Sequence, residues 1–221
     1  MALRQFVVQD VKIEIDAAML NPQLESALTR GAYEGAESNA MKHLLAADDV
    51  FFELGAGVGF LSTLAFRVLK KPKQVLAFEA NPEMIPVIEA TWRANGASGQ
   101  LANCMLGNGK GEREFNVSKA FWASSAQIDY GGARKIKVPQ RDFLKQLEKH
   151  SASFLMMDIE GGEGELLDKT LPPCVRKLVA EFHPGIIGDD KVSALVTNLL
   201  GQGFHLALDA CRGKVLAFQR G

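Results

Sequence analysis

The chain has 221 residues, 47% hydrophobic and 23% charged, enough to bury one large core. Lys and Arg total 25 against 26 Asp and Glu, a net charge of −1, so it lacks the basic footprint that nucleic acid or an anionic lipid surface rewards. The expected partner is a small molecule, with no nucleic acid and no membrane. The opening MALRQFVVQDVKIEID breaks its apolar residues with Arg4, Gln5, Gln9, Asp10, Lys12, Glu14 and Asp16, so neither a signal-peptide core nor a membrane span is expected and the location reads as cytoplasmic. Cys104, Cys174 and Cys211 are too scattered for a disulfide framework or a metal-ligand spacing. No repeat or linker divides the chain, which reads as a single domain over 1–221, with 1–48 as a preface and 49–221 carrying the main sheet.

Residues 5–14 alternate (Phe6, Val8, Val11, Ile13) like an edge strand or hairpin, and helical spacing follows over 22–29 and 36–46. DVFFEL (49–54) is an apolar run ending in glycines, FLSTLAFRVLK (60–70) has helical spacing, QVLAFE (74–79) is a second run, and 82–95 is helical again. Continuous apolar runs mean strands covered on both faces, as in a parallel sheet flanked by helices. LANCML (101–106) is a third strand, followed by the strand-like REFNV (113–117) and KIKV (135–138) and a helix over 140–149. SFLMMD (153–158), a helix over 162–169, KLVAEF (177–182) and a helix over 189–203 continue the alternation. FHLALDA (204–210) and KVLAFQR (214–220) are joined only by Cys211, Arg212 and Gly213, too short a link for a crossover, so these two strands must be antiparallel.

Glu53-Leu54-Gly55-Ala56-Gly57-Val58-Gly59 lies between a strand and a helix. Glycines let a ligand approach the backbone, and the helix N-terminus beyond presents free N–H groups and a positive dipole end, suited to a carboxylate or phosphate. Glu79 ends the next strand, where a carboxylate can accept both hydroxyl protons of a ribose. Asn81-Pro82 reads as an N-cap and first-turn proline, and Pro86 four residues on predicts a bend. Strand-end acids can also be plain caps, and NAD-binding folds use a Gly-rich turn in the same place.

VFFELGAGVGFLSTLA, VLAFEANPEMI, LMMDIEGGEGELL and VAEFHP, with Gly31-Ala32-Tyr33-Glu34 ahead of them, resemble the successive motifs of FkbM-type methyltransferases. The resemblance spans residues 31 to 206, and departs from the family pattern at Glu53, Ala80 and Gly162. It implies an α/β fold: a doubly wound, seven-stranded, mostly parallel, Rossmann-like methyltransferase sheet closing with a C-terminal antiparallel hairpin. It also implies S-adenosylmethionine as cofactor. Glu53 would face the methionine ammonium, Gly55, Gly57 and Gly59 would border the cofactor, and Glu79, with Ala80 and Asn81 beside it, would hold the ribose. Gly107 and Asn108 are candidates for the adenine end, although Gly107-Asn108-Gly109 also reads as a plain turn. Tyr33 and Glu34 are a candidate lid over the methionine end, or N-terminal packing.

Asp158-Ile159-Glu160-Gly161-Gly162-Glu163 follows the fourth central strand and Glu181-Phe182-His183-Pro184 the fifth, at the strand ends where open α/β sheets bind ligands. Methyl transfer needs alignment and a base for the acceptor proton, so Asp158, Glu160, Glu181 and His183 are the catalytic candidates, with Asp158 also beside the cofactor. His183 can instead cap its turn, and Glu163 can simply open a helix. Asp158, Glu181 and His183 could also bind a divalent cation. Phe121 and Trp122 could stack on adenine or acceptor from the loop before the fourth strand or simply pack over the sheet, the reading favoured for Phe121, and Ser124 and Ser125 could donate hydrogen bonds. The implied reaction is O-methylation of a small molecule such as a sugar or polyketide-type metabolite. The alternatives are an NAD-type Rossmann oxidoreductase, which the end hairpin and the G-x-G-x-G spacing disfavour, and a non-catalytic cofactor-binding scaffold.

Overall fold

The computed structural model describes residues 2–117 and 134–221. Phe121, Trp122, Ser124 and Ser125 lie outside the described residues. The chain opens with an antiparallel hairpin, β1 (Leu3–Val8) and β2 (Val11–Asp16), turned through Gln9 and Asp10, both at positive φ. Two helices follow, α1 (Pro22–Thr29), capped by the Asn21 side chain on Leu24 N–H, and α2 (Gly35–Leu44). β3 (Phe51–Leu54), α3 (Phe60–Leu69), β4 (Val75–Glu79), α4 (Ile85–Ala94) and β5 (Gln100–Asn103) form the first half of the main sheet.

Three strands then leave that sheet: β6 (Met105–Gly107), β7 (Gly111–Val117) and β8 (Arg134–Asp142) pair in the order β6-β8-β7. The chain returns through α5 (Phe143–His150), β9 (Phe154–Met157), α6 (Glu163–Leu166), β10 (Lys177–Glu181), α7 (Pro184–Ile187) and α8 (Asp189–Gly201). It closes with β11 (His205–Leu206) and β12 (Val215–Gln219). The seven-stranded order is β11-β12-β10-β9-β3-β4-β5, and β12 alone runs against its neighbours β10 and β11. This is the doubly wound, mostly parallel sheet with a terminal antiparallel pair that the sequence predicts.

One core layer packs Phe51, Val75, Ala77, Phe154, Met156 and Val179 against α1 to α4 and the buried Val11, Ile13 and Ile15 of β2. The other packs Phe52, Leu76, Phe78, Leu155 and Leu178 against Phe143 and Leu147 of α5, Leu166 of α6 and Leu195 and Leu199 of α8. At the N-terminal end of the sheet, fully buried Asp49 accepts from Ser153 Oγ at 2.7 Å and Lys177 Nζ at 2.6 Å, joining the segments that lead into β3, β9 and β10.

Three local expectations are corrected. Residues 101–106 are not one strand: the ladder stops at Asn103, Cys104 N–H turns to the Glu79 carbonyl, and Met105–Gly107 joins the smaller sheet. Residues 204–210 pair only over His205–Leu206, because Leu208–Ala210 winds into a 3-10 turn. α4 starts at Ile85, since the Asn81 side chain accepts from Glu83 N–H in a turn of its own. Pro86 therefore falls in the first turn, where its missing N–H breaks no intrahelical bond, and the reason for a bend disappears.

Candidate active site

Side chains alternate across a strand, so Glu53 shares a sheet face with Phe51, Glu79 with Val75 and Ala77, Asp158 with Phe154 and Met156, and Glu181 with Val179. Four acids thus stand at the C-terminal edge, on the face covered by α2 and α3. The turn leaving β3 is why they can meet there. Gly55, Gly57 and Gly59 all have positive φ, at 81°, 53° and 77°. A Cβ on Gly55 would lie 1.9 Å from the Asp158 carbonyl oxygen, and one on Gly57 would lie 2.8 Å from Tyr33 Oη. The first glycine therefore lets the segment after β9 close against the turn, and the second leaves room for the Tyr33 side chain.

Glu79 is already engaged: Oε2 accepts Gly57 N–H at 3.1 Å and Oε1 accepts Asn81 N–H at 2.7 Å. Burial pushes its carboxyl up to about 7 against the opposing effect of these donors. Glu53 is almost fully buried and is pushed to about 8 by burial, with the Ser62 hydrogen bond pulling the other way. Its Oε2 has no hydrogen-bond partner among the described residues, and neither have the buried Glu34 Oε2 and Asp158 Oδ1. Orphaned carboxyl oxygens facing one region are the mark of a site that a cationic or hydrogen-bond-donating group completes. Tyr33 and Glu34 are both raised well above their ordinary range, burial first and carboxylate neighbours second. Glu34 adopts a left-handed backbone, φ +46° and ψ +40°, a conformation costing about 1 to 3 kcal/mol that concentrates at functional sites.

Beneath these groups is a cleft of about 930 Å³, open solvent at its mouth included. Tyr33, Glu34, Gly55, Gly57, Glu79, Ala80, Asp158 and Glu160 line it. Its other wall is Phe78, Cys104, Met105, Leu106 and Phe115, with Arg113 held to Glu165 at 2.6 Å. Gly107 and Asn108 do not line it: Gly107 backs onto the Gln140 side chain, and Asn108 N–H turns to Glu165 Oε1 at 3.3 Å. Arg113, Phe115 and Glu165 were not nominated by sequence; the alternation of β7 is the only signal for the first two.

Where the chain leaves β9 and β10, fully buried Glu163 is a clamp. Its Oε2 accepts Gly161 N–H at 2.9 Å, and its Oε1 accepts His183 N–H at 2.8 Å and lies 3.2 Å from His183 Nδ1. His183 Nε2 then lies 3.7 Å from Asp158 Oδ1 and 3.5 Å from Glu160 Oε2. Burial alone would lower the imidazole, but the Glu163 hydrogen bond and the carboxylates of Asp158 and Glu160 raise it to about 9. Asp158 is held well above the usual carboxylate range by burial and then by Glu181; Glu160 is raised by burial, partly offset by His183. Among the described residues, the metal-ligating side chains that converge within 4.8 Å are Asp158, Glu160 and His183, so Glu160 occupies the place that the sequence allotted to Glu181.

The sequence model of the methyltransferase FkbM domain matches residues 53–206. No curated protein matches. Among solved structures, a transferase candidate from Pyrococcus horikoshii superposes with a TM-score of 0.52 at 13% identity, over 98% of this chain and 71% of that one. A tRNA methyltransferase from M. jannaschii gives 0.51 at 14% identity, over 99% of this chain and 57% of its own length. TYW2 from M. jannaschii, solved with AdoMet, gives 0.50 at 14% identity, over 99% and 87%. At these identities the structural likenesses speak to the fold.

Proposed function

The chain belongs to the FkbM methyltransferase domain family, and from that premise we propose that it methylates a hydroxyl oxygen of a small molecule with S-adenosylmethionine as donor. The observation that carries the reading is the convergence of Gly55 and Gly57, Glu79 and the orphaned oxygens of Glu34 and Asp158 on one cleft, with the buried Glu53 carboxyl one residue before the Leu54 that also lines it. S-adenosylmethionine, when bound, supplies a positively charged sulfonium carrying a transferable methyl group. The residues present fit it: Glu79 is placed to accept from ribose hydroxyls, Glu53 and Glu34 to meet the ammonium, and the Phe78, Leu106 and Phe115 wall to take the purine. TYW2, a fold relative, was solved with AdoMet, which supports the same assignment here.

Asp158 is the residue we assign to the reacting atoms, with Glu160 beside it and Glu181 and His183 behind. Asp158 lines the cleft, and its carboxylate form would accept the hydroxyl proton as the methyl group transfers. The net charge of −1 and an edge of carboxylates that phosphates would avoid support a small-molecule acceptor rather than nucleic acid. Among the described residues no helix is long and apolar enough to cross a membrane. The test is incubation of the protein with S-adenosylmethionine and fractionated metabolites, scanning by mass spectrometry for products that gain one methyl group. Asp158→Asn should slow product formation by about a hundredfold or more while leaving cofactor affinity nearly unchanged. Full turnover in that variant removes Asp158 from the chemistry.

A further inference from the structure

The acceptor end holds a constellation that methyl transfer alone does not require. His183 is nine-tenths buried, and its Nδ1 is taken by Glu163. Its Nε2 points between Asp158 Oδ1 at 3.7 Å and Glu160 Oε2 at 3.5 Å. Asp158 Oδ1 is itself buried and accepts no hydrogen bond among the described residues. An imidazole oriented by a buried carboxylate through one nitrogen, leaving the other beside two carboxylate oxygens, is the arrangement by which proteins prepare a histidine for a metal.

We propose that Asp158, Glu160 and His183 form a divalent-cation site that faces the cleft and holds the acceptor's oxygens. The three donor atoms lie within 4.8 Å of one another, so small side-chain adjustments bring them to the 2.0–2.2 Å typical of such bonds. Two carboxylates balance the ion's charge, and a mixed oxygen and imidazole set suits manganese better than magnesium. Coordination takes the neutral imidazole, so a proton leaves Nε2 as the ion enters. Asp158 and Glu160 line the cleft, whereas His183 does not, so open positions on the ion face the cavity. Two neighbouring oxygens of a diol can fill them, which narrows the acceptor class to chelating diols and related oxygen pairs. This acceptor role rests on the methyltransferase reading above; the cation site does not.

The test is titration of the protein with Mn²⁺ alone, followed by electron paramagnetic resonance of the free ion, with neither cofactor nor acceptor present. One saturable site is expected, weakened more than about tenfold in both Asp158→Asn and Glu160→Gln and unaffected in the surface control Glu148→Gln. Circular dichroism of each variant verifies folding, and Glu163→Gln, which leaves all three ligands in place, should weaken Mn²⁺ roughly 10- to 100-fold. Absence of saturable binding to the wild type overturns the proposal, as does binding that both ligand variants retain. Failure of S-adenosylmethionine to bind would count against the methyltransferase reading and leave the Mn²⁺ result standing.

Discussion

Gly57 donates its N–H to Glu79 Oε2 at 3.1 Å, so the glycine turn and the acid one strand away are tied together directly. Asn81 N–H holds the other oxygen at 2.7 Å, which fixes the carboxyl plane at the edge of the cleft. Glu79→Ala should therefore lose both the ribose acceptor and the support of the turn. Calorimetry should find S-adenosylmethionine affinity lower by about 1.5 to 3 kcal/mol, roughly 10- to 150-fold, in a folded variant. Equal affinity would detach Glu79 from the ribose.

The burial of Glu79 and Glu53 predicts a pH dependence. Their carboxyls sit at about 7 and about 8 when folded, above the ordinary value of 4.5, so the folded state holds protons that the unfolded chain releases. Stability from these groups is complete below pH 4.5 and is lost as pH rises through 7 to 8. Thermal melts of the unliganded protein should fall across that window, and Glu79→Gln should flatten the fall. The cofactor's positive groups favour the ionised acids, so binding should tighten over the same range with release of protons. A melting temperature that climbs between pH 6 and pH 8.5 would refute the assignment of these raised values.

Gly57→Val tests the turn itself. The position has φ +53°, which a β-branched residue resists, and its Cβ would press on Tyr33 Oη at 2.8 Å. Cofactor binding should disappear while the fold, anchored far from this turn, survives by circular dichroism. Normal binding in the variant would mean that the turn does not border the cofactor.

Asp49 carries a different kind of prediction, confined to stability. It is fully buried, and its removal leaves Lys177 and Ser153 without their acceptor at the base of the sheet. Asp49→Ala should cost about 3 to 5 kcal/mol in denaturant unfolding, since breaking one side of a buried ion pair strands the other. A loss under 1 kcal/mol would show that the cluster is solvated in practice.

The alternation of apolar runs with helical spacing makes the main sheet legible, because strands covered on both faces read as continuous hydrophobic segments. Glu53 and Glu79 are legible for the same reason, each being the first polar group at or near the end of such a run. The wall formed by Arg113, Phe115 and Glu165 is not legible, because it depends on β6 pairing with β8 some 35 residues away, a register that no local pattern specifies. Nor could spacing choose between Glu160 and Glu181 as the neighbour of Asp158 and His183. That choice is made by the chain reversal after β9, where Glu160 takes a positive φ of 46°. Glu163 reads in sequence as a helix-opening acid, and only the return of β10 reveals it as the clamp on His183.

The assignment of this cleft to S-adenosylmethionine is tested most directly by calorimetric titration of the wild-type protein with that cofactor and, separately, with NAD. Saturable one-to-one binding of S-adenosylmethionine is expected, with no heat from NAD. Saturable binding of NAD with none of S-adenosylmethionine would contradict the assignment, and would return the Gly55–Gly59 turn and Glu79 to the dinucleotide reading that their spacing alone leaves open.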